Sequence, residues 1–137
     1  TLEDAADLFS QIMTSRQGKA IEKIGLIFQK MVAMFTENPS LVSVIFAEEI
    51  FKNEAVLKAK ILKVLDKNEE TLEYILKTGQ EDGNVRTDIN NKVLALIIMG
   101  SLRLLVKRWY MGNYVFALNT EVDHLLETIR ILIDTNQ

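Results

Sequence analysis

Cysteine is absent from this chain, and its 137 residues include only one proline and six glycines. Without cysteine there is no disulfide framework and no thiolate metal site, and the composition is compatible with a reducing cytoplasm, where we expect the protein to act. So few prolines and glycines argue against a strand-and-turn architecture and against a disordered linker. The length is typical of one domain with its own core, which we take to span residues 1–137.

Net positive charge and long apolar runs are also lacking. The chain has 16 Lys and Arg against 19 Asp and Glu, a net charge of −3. Because phosphate neutralisation supplies most of the affinity for DNA, we predict no duplex binding by this chain. The longest apolar run, Val93 to Leu102, is too short for a bilayer, which requires about 20 residues. The start, TLEDAADLF, lacks the basic residues of a secretory signal and an initiator Met, so we expect further residues upstream.

Every periodic segment of the sequence has the spacing of an amphipathic helix, and none alternates as a half-buried strand does. Asn38-Pro39 and Asn90 are typical helix starts, because Asn caps free amides and Pro fits the first turn. Gly83 and Gly112 are typical helix ends. These signals predict an all-α fold with six helices, at about 2–13, 19–35, 39–51, 53–78, 91–111 and 121–134.

The helix at 91–111 is apolar almost all the way round. Such a helix must bury two faces at once, and a chain of this size has only one core to offer. The second face therefore requires another subunit or a bound ligand. Gly100 lies in the middle of this helix, where glycine costs about 1 kcal/mol relative to alanine. We interpret it as a point of close backbone approach, within the chain or across a dimer.

The run GQEDGNVRTDINNKVLALIIMGSLRLLVKRW, residues 79–109, resembles the C-terminal domain of TetR-family transcriptional regulators. The resemblance rests on GQEDG followed by Val85, Arg86 and Asp88, then an Asn cap and an apolar helix that leads to Trp109. NPSLVSVIFAEEIF, residues 38–51, is similar to a further helix of the family. The family's N-terminal helix-turn-helix has no counterpart here, so the resemblance implies DNA binding only through a missing N-terminal domain.

This resemblance implies a six-helix TetR C-terminal-like bundle that forms a homodimer through its last two helices, which pair with their symmetry mates. The clean apolar stripe of the last helix is consistent with that arrangement. The candidate dimer-interface residues are Gly100, Leu104, Val122, Leu125, Leu126, Ile129, Leu132 and Ile133.

The resemblance also implies a small effector molecule that enters the helical core and changes the spacing of two DNA-binding units. Met and aromatic side chains suit a pocket for apolar or amphipathic ligands, although most such positions are ordinary core. A few polar groups would orient the ligand. The candidate ligand-binding residues are Phe28, Met31, Phe35, Phe46, Tyr74, Ile75, Ile98, Ser101 and Trp109.

Catalytic and metal-binding readings have little support in the sequence. His124 is the one histidine, there is no cysteine, and no serine lies in a glycine-framed elbow, so we assign no catalytic residue and no enzymatic activity. Glu121 and His124 have the Glu-x-x-His spacing of di-iron bundles, but that site needs two such motifs and further glutamates. We expect an acidic first turn beside a surface histidine, and neither a metal nor a cofactor.

We therefore predict the effector-binding and dimerisation part of a ligand-responsive transcriptional regulator, most simply a repressor. Two alternatives remain. One is a dimeric helical interaction module without a ligand, and the other is a metal-binding helical bundle. An apolar cavity would favour the regulator, and one metal ion per subunit would favour the bundle.

Overall fold

The computed structural model describes residues 2–40, 42 and 55–135, and within them the chain forms five helices and no strand. We number the helices in chain order. They are α1 (Leu2–Thr14), α2 (Ala20–Glu37), α3 (Ala55–Glu81), α4 (Asn91–Met111) and α5 (Leu118–Ile133).

The all-α class is confirmed, and the predicted helices agree with these bounds to within a few residues. The bounds of α4 are those predicted. The predicted helix at 39–51 lies outside the described residues except for its first turn, where Ser40 and Val42 are helical. One prediction was wrong in detail, because α5 begins three residues before the predicted position 121.

Four of the helices surround a single core. α4 packs on α3 and α5, and α2 packs on the same two helices from the opposite side, while α1 lies against α3. Each helix contributes the apolar stripe that its sequence periodicity predicts. The most completely buried large side chains of the core include Phe28, Ile24, Leu72, Ile75, Leu76, Ile98, Leu102 and Ile133.

The start of α4 is determined by its own sequence. The Asn90 side chain accepts hydrogen bonds from the backbone N–H groups of Lys92, at 2.9 Å, and Val93, at 3.3 Å. These bonds satisfy two of the amides that a helix leaves without partners in its first turn. At the other end, Gly112 N–H donates to the Arg108 carbonyl at 2.9 Å. The position of α4 thus follows from local chemistry.

The joint between α1 and α2 contains a buried charge. Gly18 has φ +83°, a left-handed conformation that favours glycine. Lys23 is only 5 % exposed, and its ammonium donates to the Ser15 carbonyl just after the end of α1. An ammonium at the C-terminal end of a helix is favoured by the helix dipole. The lysine therefore holds the end of α1 against α2.

No helix within the described part of the chain has the length and hydrophobicity that crossing a membrane requires.

Candidate functional site

The main functional feature is the outward face of α4. One face of this helix is buried in the core, from Leu94 to Trp109. The opposite face carries large apolar side chains that are half or more exposed, as its sequence predicted. Their exposed fractions are Val93 51 %, Leu96 61 %, Ile97 55 %, Leu104 50 % and Met111 68 %. A contiguous exposed apolar surface of this kind is typical of a protein-interaction site.

Gly100 lies in the middle of this outward face, and it is exposed. A Cβ built on it would meet no atom within 4 Å. Nothing within the described chain therefore requires glycine at this position. Of the two predicted reasons for Gly100, close approach within the chain is excluded among the described residues, and close approach by a second copy stays a prediction.

A groove of about 330 Å³ separates α4 from α5 on the same side of the molecule. Leucines line it together with polar groups, among which Glu121 Oε2 lies 3.7 Å from His124 Nδ1. Both of these side chains are mostly solvated. Among the described residues, no group of three or more His, Asp or Glu side chains is arranged to hold a metal ion. The lining residues are Ser101, Leu104, Leu105, Arg108, Glu121, His124, Leu125 and Thr128.

The candidate interface residues of α5 fall into two groups. Val122, Ile129 and Ile133 are only 2–3 % exposed, because they pack into the subunit's own core. They therefore do not lie on the surface that a second copy would reach. Most of the apolar stripe of α5 is buried within one subunit. Leu125 and Leu126 are half-buried, and Leu132 is 50 % exposed. The exposed candidates are thus Leu132 together with Gly100 and Leu104 of α4.

Most of the candidate ligand-binding residues are brought together, but as packed core. Their exposed fractions are Phe28 0 %, Phe35 3 %, Ile75 1 %, Ile98 2 % and Trp109 6 %, and the half-buried Met31 packs against the same cluster. None of three grooves on the surface, including the one between α4 and α5, is lined by these six residues.

The remaining ligand candidates lie elsewhere. Tyr74 is 41 % exposed, and its hydroxyl donates to the Thr14 carbonyl at 3.4 Å. Ser101 donates to the Ile98 carbonyl at 2.8 Å and lines the groove between α4 and α5. Phe46 lies outside the described residues. The described polar candidates are therefore not grouped around the apolar ones.

The hydrogen bonds of the loop at 79–90 show that it is a structural junction. The Gln80 side chain donates to the carbonyls of Arg86, at 3.1 Å, and Ile89, at 2.7 Å. The Arg86 N–H donates to the Ile133 carbonyl at 2.9 Å. The loop thus ties the end of α3 to the start of α4 and to the last residue of α5.

Two residues of this loop region have contacts that the sequence reasoning missed. A Cβ at Gly79 would lie 2.6 Å from Val85 Cγ2 and 3.0 Å from Ala20 Cβ, so only glycine fits. The Asn84 side chain accepts a hydrogen bond from the Ala20 N–H at 3.0 Å, which caps α2 from a distant part of the chain. The glycine-rich composition of the loop was visible in the sequence, but no local signal indicated either partner.

Comparison with known proteins agrees with the resemblance seen in the sequence. A family model described as the C-terminal region of YsiA-like proteins, one of the TetR C-terminal families, matches residues 5–133. No curated protein and no solved structure gives a match. The match covers nearly the whole chain, including all of α2, α3, α4 and α5 and most of α1. The chain therefore belongs to the TetR family of transcriptional regulators, as a C-terminal region of the YsiA-like type.

Proposed function

We propose that this chain is the dimerising, effector-responsive part of a TetR-type transcriptional repressor. The observation that supports dimerisation most strongly is an exposed, mainly apolar surface. It consists of five residues on the outward side of α4 and one residue of α5, namely Val93, Leu96, Ile97, Gly100, Leu104 and Leu132. We refer to these six residues as the outer face. Fully burying an exposed valine, leucine or isoleucine side chain is worth about 1.5–3 kcal/mol, so leaving five such side chains about half exposed is unfavourable.

A second copy of the chain is the partner that we propose for the outer face. A two-fold dimer buries the same patch on both subunits, so one apolar surface serves both partners. Antiparallel α4 and α5 of each copy would then form a four-helix bundle. Gly100 supports this partner, because the absence of a side chain in the middle of α4 allows another helix to approach closely.

The effector part of the proposal requires a change in the core. Phe28, Ile75 and Ile98 are buried in one core cluster and line none of the three surface grooves, so we propose that a ligand among them binds a conformation in which they separate. A ligand shifts a protein between two states only through different affinity for them. We propose that an apolar effector stabilises such an opened state and that the change reaches DNA through a part of the protein outside this chain.

The interaction module without a ligand remains the second candidate, and it is favoured by the burial of the apolar ligand candidates away from the three surface grooves. Thermal melting followed by circular dichroism separates the two functions. A small apolar compound that binds the native state raises the melting temperature by mass action. In Ile75→Trp, whose larger side chain would occupy the space between the separated residues, that increase should disappear. If no compound in a broad apolar library raises it, the interaction module is the better description.

Dimerisation is tested with a pair of variants that carry the same change on two exposed leucines. Leu104→Glu places a charge in the outer face, whereas Leu26→Glu places it on α2, where Leu26 is 44 % exposed. In sedimentation velocity we expect Leu104→Glu to be a folded monomer and Leu26→Glu to remain a dimer. If the two variants have the same oligomeric state, the outer face is not the dimer interface.

A further inference from the structure

Charges of opposite sign are separated between α4 and α5, the two helices that carry the outer face. α4 contains Lys92, Arg103, Lys107 and Arg108 and has no acidic residue. α5 contains Glu121, Asp123 and Glu127, with Arg130 as its one Lys or Arg. Because both helices expose these residues, one subunit presents a basic helix beside an acidic helix.

Two of these charges on each helix lie on the side away from the groove between α4 and α5. Arg103 and Lys107 are four residues apart and share one side of α4, and Asp123 and Glu127 have the same relationship on α5. None of the four lines that groove. Each pair therefore forms a short charged row on the outer edge of its helix, where a neighbouring molecule can reach it.

The two rows lie at the same level along the antiparallel helices. Positions 101 and 128 line the groove between α4 and α5 at one end, and positions 108 and 121 line it near the connecting turn. Arg103 is thus level with Glu127, and Lys107 is level with Asp123. If the α4 of one copy lies against the α5 of the other at the same level, each cation faces a carboxylate.

The basic row has no counter-ion within the described part of the subunit. Among the described residues, no carboxylate lies within ion-pair distance of Arg103 or Lys107, and Asp123 likewise has no ion-pair partner. Glu127 accepts from Arg130 on its own helix at 3.0 Å, but this pair is exposed and a carboxylate has sites for further donors. The rows are therefore free to pair between copies.

Four of the six outer-face residues lie at the opposite end of the two helices. Val93, Leu96 and Ile97 are near the start of α4 and Leu132 is near the end of the neighbouring α5, whereas Leu104 lies beside Arg103. A two-fold axis that runs along the helices places the apolar end of one copy against the apolar end of the other. It likewise places the two charged ends against each other. An axis across the helices would place Arg103 and Lys107 of one copy against the apolar end of the other, where unpaired charges lose their hydration.

We propose that Arg103 and Lys107 of one copy pair with Glu127 and Asp123 of a second copy, and that this pairing selects the dimer whose two-fold axis runs along α4 and α5. The proposal rests on the dimerisation proposed above and adds the register of the two copies. Rim charges of this kind determine orientation and association rate more than affinity, and like charges placed opposite each other are strongly unfavourable.

Charge reversal tests the pairing. In Arg103→Glu/Lys107→Glu we expect the dimer dissociation constant to rise about tenfold or more at low salt, since acidic rows then face each other. Combining these changes with Asp123→Lys/Glu127→Lys should restore dimerisation, and mixing the two double variants should give heterodimers. Circular dichroism checks that each variant is folded. An unchanged dissociation constant in the first variant would overturn the pairing while leaving dimerisation intact, whereas a monomeric unmodified chain would overturn both.

Spin-label distances test the direction of the axis without relying on affinity. The chain has no cysteine, so Lys92→Cys and Met111→Cys each introduce a single labelling site, at opposite ends of α4 and outside the six outer-face residues. With the axis along the helices, each site should lie about 20 Å or less from its symmetry mate, given helix spacings of about 10 Å. With the axis across the helices, both distances should be near 30 Å, because 19 residues of helix span about 28 Å. Long distances at both sites would overturn the proposed register.

Discussion

The Asn84 side chain caps α2 by accepting a hydrogen bond from the backbone N–H of Ala20, at 3.0 Å. The residue at the N-cap position itself, Lys19, provides no side-chain cap. The first turn of α2 therefore depends on a loop that lies more than sixty residues later in the chain. The same loop is bonded to α5 through Arg86 and Ile133, so one short segment joins three helices.

Removing this cap should destabilise the fold. Asn84→Ala is expected to lower the free energy of unfolding by about 1–2 kcal/mol, the usual cost of losing a cap or leaving a covered amide without a partner. Asn84→Asp keeps the acceptor and should lose less. Gln29→Ala, on the exposed side of α2, is a control that should stay within about 0.5 kcal/mol. Urea denaturation provides the comparison, and equal effects of Asn84→Ala and Gln29→Ala would contradict the role of the cap.

Two of the helical glycines, Gly79 and Gly100, should respond in opposite ways to alanine. Gly79→Ala forces a Cβ against Val85 and Ala20, and overpacking of this kind costs about 1–3 kcal/mol. The added Cβ of Gly100→Ala meets no atom within 4 Å in the described part of the subunit, so this change should raise helix stability by up to about 1 kcal/mol. In a dimer with close helices it should also weaken association. Unfolding at a concentration where the protein is monomeric measures the subunit stability of both variants. A Gly79→Ala variant that is more stable than the unmodified chain would contradict the close contact of Gly79 with Val85 and Ala20.

Adjacent isoleucines on α4 should separate folding from association. Ile98 is 2 % exposed, so Ile98→Ala should lower the free energy of unfolding by about 2–5 kcal/mol. Ile97 is 55 % exposed, so Ile97→Ala should leave the isolated subunit nearly as stable and should weaken the dimer. Denaturation by urea and sedimentation of both variants give the two readouts. A large loss of subunit stability in Ile97→Ala would show that its side chain is buried within one chain.

The pair Arg86–Asp88 should contribute to stability only above acidic pH. Two hydrogen bonds of 2.7 Å from the Arg86 guanidinium lower the pKa of Asp88 below its ordinary value. A carboxyl group whose pKa is lower in the folded protein stabilises it above the unfolded pKa of about 3.9, and this contribution is lost as the pH falls through the folded pKa. The difference in urea midpoint between the unmodified chain and Asp88→Asn should therefore be larger at pH 6 than at pH 2.5. A difference in midpoint that does not change with pH would contradict a stabilising role for the Arg86–Asp88 pair.

The features that the sequence predicted well are those decided by neighbouring residues. The bounds of α4 follow from the Asn90 cap and Gly112, and the exposure of Leu96, Ile97 and Leu104 follows from an apolar surface larger than one core can cover. The start of α5 was misplaced because Ala117, at its N-cap, provides no side-chain cap that a sequence pattern would reveal.

The features that the sequence did not predict depend on contacts between distant segments. In the sequence Gly79 was noted only as part of the GQEDG motif of the family resemblance, whereas its need for glycine comes from Ala20 and Val85. Val122 was assigned to the dimer interface because a stripe on a helix does not reveal which neighbour covers it, and here α2 and the core do so. Lys23 was overlooked because a lysine at helical spacing is usually solvated.

The molar mass of the unmodified chain in solution tests dimerisation most directly. Sedimentation equilibrium at micromolar concentration should give twice the subunit mass of 15.6 kDa, with dissociation on dilution that follows a single monomer–dimer equilibrium. The exposed apolar residues of α4 would then be covered by a second copy. A mass of one subunit at every concentration up to about 100 µM, where even a dimer held by about 5–6 kcal/mol would form, would contradict self-association through the outer face.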